Sequence, residues 1–270
     1  MQPTACLNCA ANLNTSNKYC PQCGQKVHLH RLNLAHIGHE AVHFITHADK
    51  GIFYLLKMLA TKPGQVAREY IAGKRIKYFS PLNFFLLMVG LFVFALTTFH
   101  PLEGVNLKKA KEQVQQVPDV VKRERMLKKL DRAEDASHFM AKYSNYINMA
   151  ITPLYAFIFF MFYRRSRYNY TEHLVANLYF AGFGVVIFLV VILPYLILTK
   201  DSPHYLYGIY AFLVFEALYR AVAYYQFINK RGWKHFLYAF LISSLLVYGW
   251  YLASTFLVSY YISHGFEGIL

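Results

Sequence analysis

Five long apolar stretches constrain the fold of this chain more than any other sequence feature. They cover 82–99, 146–163, 174–198, 205–227 and 236–262. A helix needs about 20 mostly apolar residues to cross the hydrocarbon core of a bilayer. The stretches therefore predict an all-α polytopic membrane protein with about five transmembrane helices, and with the lipid bilayer as its surroundings. We place the membrane domain at 82–270.

The basic residues predict how the chain lies in the membrane. The sequence has 28 Lys and Arg against 14 Asp and Glu. Basic clusters at 74–77, 164–167 and 230–234 fall on one side of the bilayer if all five stretches cross it. Cytoplasmic loops carry an excess of Lys and Arg. This pattern predicts a cytoplasmic N-terminus and a C-terminus on the outside.

The segment 100–145 is rich in charges of both signs and lies on the outer side in this scheme. Its sequence predicts a helical hairpin with a break at Pro118. Such a hairpin is either a solvated surface feature or a pair of helices that binds a partner or a second copy of the chain.

Paired cysteines at the N-terminus form the most specific motif. Cys6 and Cys9 make one Cys-x2-Cys pair, and Cys20 and Cys23 make another. Four thiolates at this spacing match a short zinc ribbon, a closed tetrahedral site. We predict such a ribbon over 1–27, with one structural Zn²⁺ per chain. The alternatives are two disulfides or a redox pair, and a cytoplasmic N-terminus disfavours disulfides.

A histidine-rich segment follows within 28–81, where we predict amphipathic and interfacial helices on the cytoplasmic face. On a helix, four histidines fall within about 80° of one another. These are His36, His39, His43 and His47. With Glu40, they include an H-E-x-x-H pattern, which in metalloproteases places two ligands and a catalytic glutamate on one face. The alternatives are a proton-sensing role and a polar face at the membrane surface.

Two further groups of charges stand near or within the membrane. Lys74, Arg75 and Lys77 directly precede the first predicted span, and we expect them at the level of lipid phosphates. Glu216 and Arg220 lie four residues apart in the fourth span, hence on one helix face. Charges at this depth are either paired, which orients helix packing, or line a proton or ion pathway.

Several short motifs together resemble a family of uncharacterised multipass membrane proteins found mainly in Bacteroidetes. Besides the cysteine pairs, they are His-Ala-Asp-Lys-Gly at 47–51, Lys-Pro-Gly at 62–64, Arg-Glu-Tyr-Ile-Ala-Gly-Lys-Arg at 68–75, Tyr-x-x-Pro at 78–81 and Tyr-Thr-Glu-His-Leu at 170–174. Those proteins carry an N-terminal zinc ribbon and a domain of unknown function. The resemblance implies zinc binding and a place in the bacterial inner membrane, and it implies no reaction.

Three functions remain open at this stage. The first is a membrane adaptor whose zinc ribbon docks a cytoplasmic protein. The motifs of the chain do not require a catalytic function. The second is a small transporter or channel that uses Glu216 and Arg220. The third is a membrane metalloenzyme centred on His39, Glu40 and His43. Nucleic acid is not an expected partner, because the basic clusters flank membrane spans. A homo-oligomer is compatible with all three.

Overall fold

The structure, a computed structural model, describes residues 4–14, 16–29, 31–32, 51–99, 107–200, 202 and 204–265. After the N-terminal segment, the described chain is helical, with a π-helical turn at Phe188–Ile192 between α6 and α7. The helices are α1 Gly51–Thr61, α2 Pro63–Ile71, α3 Pro81–Phe99, α4 Leu107–Gln115, α5 Val120–Phe162, α6 Tyr170–Ile187, α7 Leu193–Leu198, α8 Tyr205–Ile228 and α9 Trp233–His264.

Four helical stretches of the described chain are long and apolar enough to cross a membrane. They are Pro81–Phe99, Tyr170–Leu198, Tyr205–Ile228 and Trp233–His264. These stretches cover four of the five predicted spans. The remaining prediction, 146–163, falls on Tyr146–Phe162, a shorter apolar segment at the end of α5. The prediction of an all-helical membrane fold with an N-terminal four-cysteine cluster is confirmed.

The apolar end of α5 packs within the same bundle as the longer stretches. It contacts α3, α6 and α9. The Tyr155 hydroxyl of α5 donates to the carbonyl of Leu246 in α9 at 2.9 Å. The Tyr238 hydroxyl, near the start of α9, donates to the carbonyl of Phe162 at the end of α5 at 3.3 Å. The end of α5 and the start of α9 therefore lie at the same end of the bundle.

Helices α1 and α2 pack onto this end of the bundle and belong to its main core. Leu55 and Leu59 of α1 are fully buried. The Tyr219 hydroxyl of α8 donates to the carbonyl of Leu59 at 3.2 Å. Gly64 of α2 lies so close to α8 that a methyl group there would be 2.5 Å from the carbonyl oxygen of Ala223. Only glycine permits this approach of two backbones, which explains the Lys-Pro-Gly motif.

The charged segment forms the predicted hairpin. Helices α4 and α5 are separated by a short break that contains Pro118, and Asp119 caps α5 by accepting from the Lys122 amide at 3.1 Å. Lys111 of α4 pairs with both Asp131 and Glu134 of α5 at 2.8 Å. The sequence predicts a charged segment at 100–145 that is separate from the span at 146–163, and here the structure differs. Helix α5 continues unbroken from the charged segment to Phe162, because no helix-breaking sequence separates the two parts.

Candidate metal centre and its contacts with the membrane helices

The two Cys-x2-Cys turns share one pattern of backbone hydrogen bonds. In the first turn, the Cys6 amide donates to the carbonyl of Ala11 at 2.8 Å, and the Ala10 amide donates to the carbonyl of Cys6 at 2.9 Å. The second turn has the equivalent bonds at 2.7 and 2.8 Å, between Cys20, Gln25 and Gly24. Each turn brings its two thiols to the same side.

The residue that follows each cysteine pair has a left-handed backbone conformation, with positive φ. Gly24 has φ +73° and Ala10 has φ +61°. Gly24 suits this position, since glycine adopts positive φ without a steric penalty. Ala10 occupies the equivalent position in the first turn. The methyl side chain of Ala10 makes this positive-φ conformation strained.

The four thiols converge as a metal site requires. All four Sγ atoms of Cys6, Cys9, Cys20 and Cys23 lie within 4.8 Å of one another. The Cys6–Cys23 and Cys9–Cys20 pairs are each 3.6 Å apart. A tetrahedral site with Zn–S bonds of about 2.3 Å places its sulfurs about 3.8 Å apart, whereas a disulfide needs about 2.05 Å. The cysteines are free, and the cluster could hold a metal ion such as zinc.

The surroundings favour a thiolate at one position of the cluster. Loss of hydration acts to raise the pKa of Cys20, but amides of Cys23 and Gln22 outweigh it and lower that pKa to about 7. At Cys9 the Ala11 amide acts in the same direction. Loss of hydration and the other three thiols nevertheless raise the pKa of Cys9 to about 12. Four thiols so close together cannot all ionise unless a cation balances their charge.

The ribbon is joined to the turn between α2 and α3, residues 72–80, which we call the elbow. Gln25 is buried, and its side-chain Nε2 donates to the carbonyl of Gly73 at 2.5 Å. Its Oε1 accepts from the amides of Arg75 at 3.1 Å and Ile76 at 3.3 Å. On the first turn, Asn8 Oδ1 accepts from the Lys77 amide at 3.1 Å. The elbow backbone is thus bound by side chains from both cysteine turns.

Apolar contacts complete this interface at Gly73. Its φ is +108°, and a methyl group there would lie 2.9 Å from Cδ1 of Leu7 and 3.2 Å from Cδ1 of Leu29. The backbone conformation therefore favours glycine at this position, and the two leucine side chains pack against it. Helix α2 ends at Ile71, two residues before Gly73.

The predicted lipid-facing cations lie in the elbow, and two of them share one carboxylate. Lys77 Nζ is 2.7 Å and Lys74 Nζ is 3.3 Å from oxygens of Glu69. The Tyr78 hydroxyl also donates to Glu69, at 2.9 Å. Burial acts to raise the pKa of Glu69, but hydrogen bonds from Lys77, Gln65 and Tyr78 overcome it and lower that pKa to about 2. The exposure of Arg75, Lys74 and Lys77 to lipid phosphates stays a prediction.

A second attachment joins the end of the ribbon to α6. Arg31 Nε and Nη2 each donate to a carboxylate oxygen of Glu172 at 2.9 Å, and Nη2 also donates to the carbonyl of Arg167. Glu172 is only 4% exposed and closes the capping box of α6 with Asn169. The Glu172–Arg31 pair is bidentate, which gives it directional strength.

The predicted intramembrane charges form an ion pair. Arg220 Nε and Glu216 Oε2 are 2.7 Å apart, and both side chains are buried. Gly184 of α6 lies against Glu216, where any side chain would overlap the carboxylate. The pair lines a cavity of about 220 Å³ in the bundle. Its other polar lining includes Asn148, Thr152 and Tyr155.

The predicted histidine-rich helix falls on residues outside those that the structure describes. His36, His39, Glu40, His43 and His47 all fall within 33–50. The second metal site and the catalytic role of Glu40 therefore stay predictions.

Sequence reasoning missed Gln25 and Arg31 as the side chains that attach the ribbon. Neither belongs to a motif, and hydrogen bonds across 48 and 141 positions leave no periodic signal. The one available signal was the capping pattern Asn169-x-x-Glu172, which marks the start of α6.

The chain is a multi-span helical membrane protein with four clustered cysteines that could hold a metal ion. No curated protein and no solved structure matches it. Residues 49–93 match the sequence model of a family described as a protein of unknown function, DUF3667. The match extends from the start of α1 into α3 and contains the elbow on which the ribbon rests. Over this segment, the chain is similar to DUF3667 proteins.

Proposed function

We propose that this chain is a membrane adaptor of the bacterial inner membrane. A structural zinc ribbon at 1–27 is held on the cytoplasmic face by the segment 28–81, and the membrane domain 82–270 anchors both. The observation that carries the proposal is the docking of Gln25 on the elbow, at 2.5 Å from Gly73 and 3.1 Å from Arg75. A ribbon fixed in this way presents a constant surface to a partner.

Zinc is the metal that best suits the cluster. Four thiolates in tetrahedral arrangement form a closed site, with no open position for water or substrate. A segment with so small a core depends on its metal for folding. We therefore assign one structural Zn²⁺ to Cys6, Cys9, Cys20 and Cys23, and no catalytic role.

The orientation follows from the basic clusters at 74–77, 164–167 and 230–234. Two contacts support their common side: Gln25 with Arg75, and Arg31 with the carbonyl of Arg167. Positive charge on one side of a membrane marks the cytoplasm. The ribbon then faces the cytoplasm, and the C-terminus lies outside.

The partner binds to an exposed surface of the ribbon that includes Tyr19. Tyr19, which directly precedes Cys20, is 60% exposed. Exposed aromatic side chains on a rigid support are common anchors at protein interfaces. The expected partner is a cytoplasmic protein with a pocket for this ring.

The adaptor proposal is tested by photo-crosslinking in cells. A photoreactive amino acid replaces Tyr19, and in a control chain it replaces Gln113, an exposed residue of α4. We expect one discrete protein adduct from position 19, which disappears when Cys20→Ser is added. The same adducts from both positions, or an adduct that survives loss of the zinc ligand, would contradict the adaptor function.

A transporter or channel is a second candidate, favoured by the cavity beside Glu216 and Arg220. A buried ion pair that lines about 220 Å³ of space is a place where a proton or small ion could bind. The test is flux in liposomes. A transport role predicts that Glu216→Gln abolishes flux while the protein stays folded. A purely structural pair predicts no flux in the wild type, with lower stability in the variant.

A further inference from the structure

A second cavity lies where α2 meets the turn after α8, and the charged residues of its described lining are all basic. It has a volume of about 260 Å³. The lining residues include Lys62, Gln65, Arg68, Gln226, Lys230 and Arg231. Four of them are cations, and none of the described lining residues carries a carboxylate. Like charges gathered in this way repel one another unless an anion joins them.

Arg68 provides the strongest sign of a missing anion. Its Nη1 atom is buried and has no hydrogen-bond partner within the described part of the chain. A guanidinium has only donors, and a buried donor left unpaired is unfavourable. The neighbouring Glu69 does not pair with Arg68, because the Glu69 carboxylate accepts hydrogen bonds from Gln65, Lys77 and Tyr78.

Two amide side chains of the cavity, Gln226 and Gln65, make hydrogen bonds to neighbouring groups. Gln226 Oε1 accepts from the Gly64 amide at 3.2 Å, and Gln65 Nε2 donates to Glu69 at 2.9 Å. The same Gly64 brings the backbones of α2 and α8 into contact, so the two walls of the cavity are held at a fixed distance. The charged groups of the described lining that can receive a ligand are all basic, so the ligand they favour is an anion.

The cavity lies at an end of the membrane bundle. Lys230 and Arg231 stand in the short turn between α8 and α9, two helices long enough to cross a bilayer. Trp233, the first residue of α9, is 71% exposed. Exposed Trp at the end of a spanning helix is typical of the headgroup region, where phosphate groups of lipids are the abundant anions.

We propose that this cavity binds the phosphate group of an anionic phospholipid. Arg68 would donate to phosphate oxygens from the buried wall, as guanidinium groups do with directional, charge-assisted bonds. Lys62, Lys230 and Arg231, all exposed at the rim, would add positive charge around the same group. This site is separate from the four cysteines, so its failure would leave the adaptor proposal intact.

The test titrates the full chain, purified in detergent, with dioctanoyl phosphatidate. Dioctanoylglycerol, which has the same acyl chains without phosphate, is the control ligand. We expect saturable binding of the phosphatidate and a loss of about tenfold or more in Arg68→Gln, since a charge-assisted hydrogen bond contributes this much. Lys234→Gln removes a nearby exposed cation that does not line the cavity, and it should leave the affinity within about twofold.

The remaining outcomes are also decisive. If Arg68→Gln does not fold, the double variant Lys62→Gln/Arg231→Gln changes only exposed side chains and is expected to weaken binding to a similar extent. Competition by inorganic phosphate with the same dependence on these variants would support the site and identify a free phosphate as its ligand. Equal binding of dioctanoylglycerol, or equal phosphatidate affinity in all variants, would overturn the proposal.

Discussion

The side chain of Gln25 donates a hydrogen bond to the carbonyl oxygen of Gly73, with 2.5 Å between the two atoms. The backbone carbonyl of the same Gln25 accepts from the Cys20 amide at 2.7 Å. One residue therefore closes the second cysteine turn and attaches that turn to the elbow. The backbone of Gln25 thus serves the cysteine turn, and its side chain serves the attachment to the elbow.

Replacing Gln25 by Ala is expected to release the ribbon from the elbow without loss of zinc. The change removes three hydrogen bonds to the elbow and leaves the Ile76 amide without its partner, while the Gly73 carbonyl still accepts from the Arg75 amide at 2.9 Å. This loss destabilises the docked state by about 1–3 kcal/mol. Limited trypsin digestion measures this as faster cleavage at Arg31. Gln22→Ala is the matched control, since Gln22 is exposed. Equal cleavage rates in wild type and Gln25→Ala would show that the ribbon is held by other contacts.

Ala10 and Gly24 offer a test of strain in the two cysteine turns. Both have positive φ, at +61° and +73°. Ala10→Gly removes the steric penalty of that conformation, about 1 kcal/mol, and Gly24→Ala introduces it. Ala10→Gly is therefore expected to resist zinc removal by a chelator better than the wild type, and Gly24→Ala less well. A shift of both variants in the same direction would refute the equivalence of the two turns.

Gly64 is expected to tolerate no side chain. A methyl group there would lie 2.5 Å from the carbonyl oxygen of Ala223 and close to the Phe227 amide. Backbone atoms cannot move aside as side chains do, so Gly64→Ala should lower the free energy of unfolding by about 1–3 kcal/mol or more. At Gly90 no atom lies within 4 Å of an added methyl group, and Gly90→Ala is the control. Thermal unfolding in detergent compares them, and equal midpoints would mean that α2 and α8 are less closely packed.

The fold could largely be predicted from the sequence, because hydrophobicity is a local signal. Apolar runs located four helices long enough to cross a membrane, Pro118 marked the hairpin break, and the spacing of Glu216 and Arg220 placed both on one helix face. The cysteine site was predictable for a similar reason, since ligand spacing within each pair is short. The attachments through Gln25 and Arg31 were not predictable. They depend on how distant segments meet, and the residue types involved are ordinary surface residues.

The charge of Glu69 is expected to make the elbow sensitive to acid. Its pKa is lowered to about 2, below the ordinary value of about 4.3. A depressed carboxylate stabilises the folded state above its unfolded pKa, and that contribution is lost as the pH falls from about 5 to 2. Glu69→Gln should therefore be less stable than the wild type at pH 7, by roughly 1–3 kcal/mol, and the difference should shrink toward pH 3. Unfolding midpoints at both pH values measure this, and a constant difference would rule out the assigned role.

The most direct test of the zinc ribbon is the metal content of the purified protein. Wild type, Cys20→Ser and His39→Ala/His43→Ala are compared by elemental analysis. The closed four-cysteine site predicts one zinc per chain in the wild type and in the histidine variant, and little or none in Cys20→Ser. Equal zinc in Cys20→Ser and wild type would contradict the site. Two zinc ions in the wild type, falling to one in the histidine variant, would contradict a single structural metal and establish a second centre at His39 and His43.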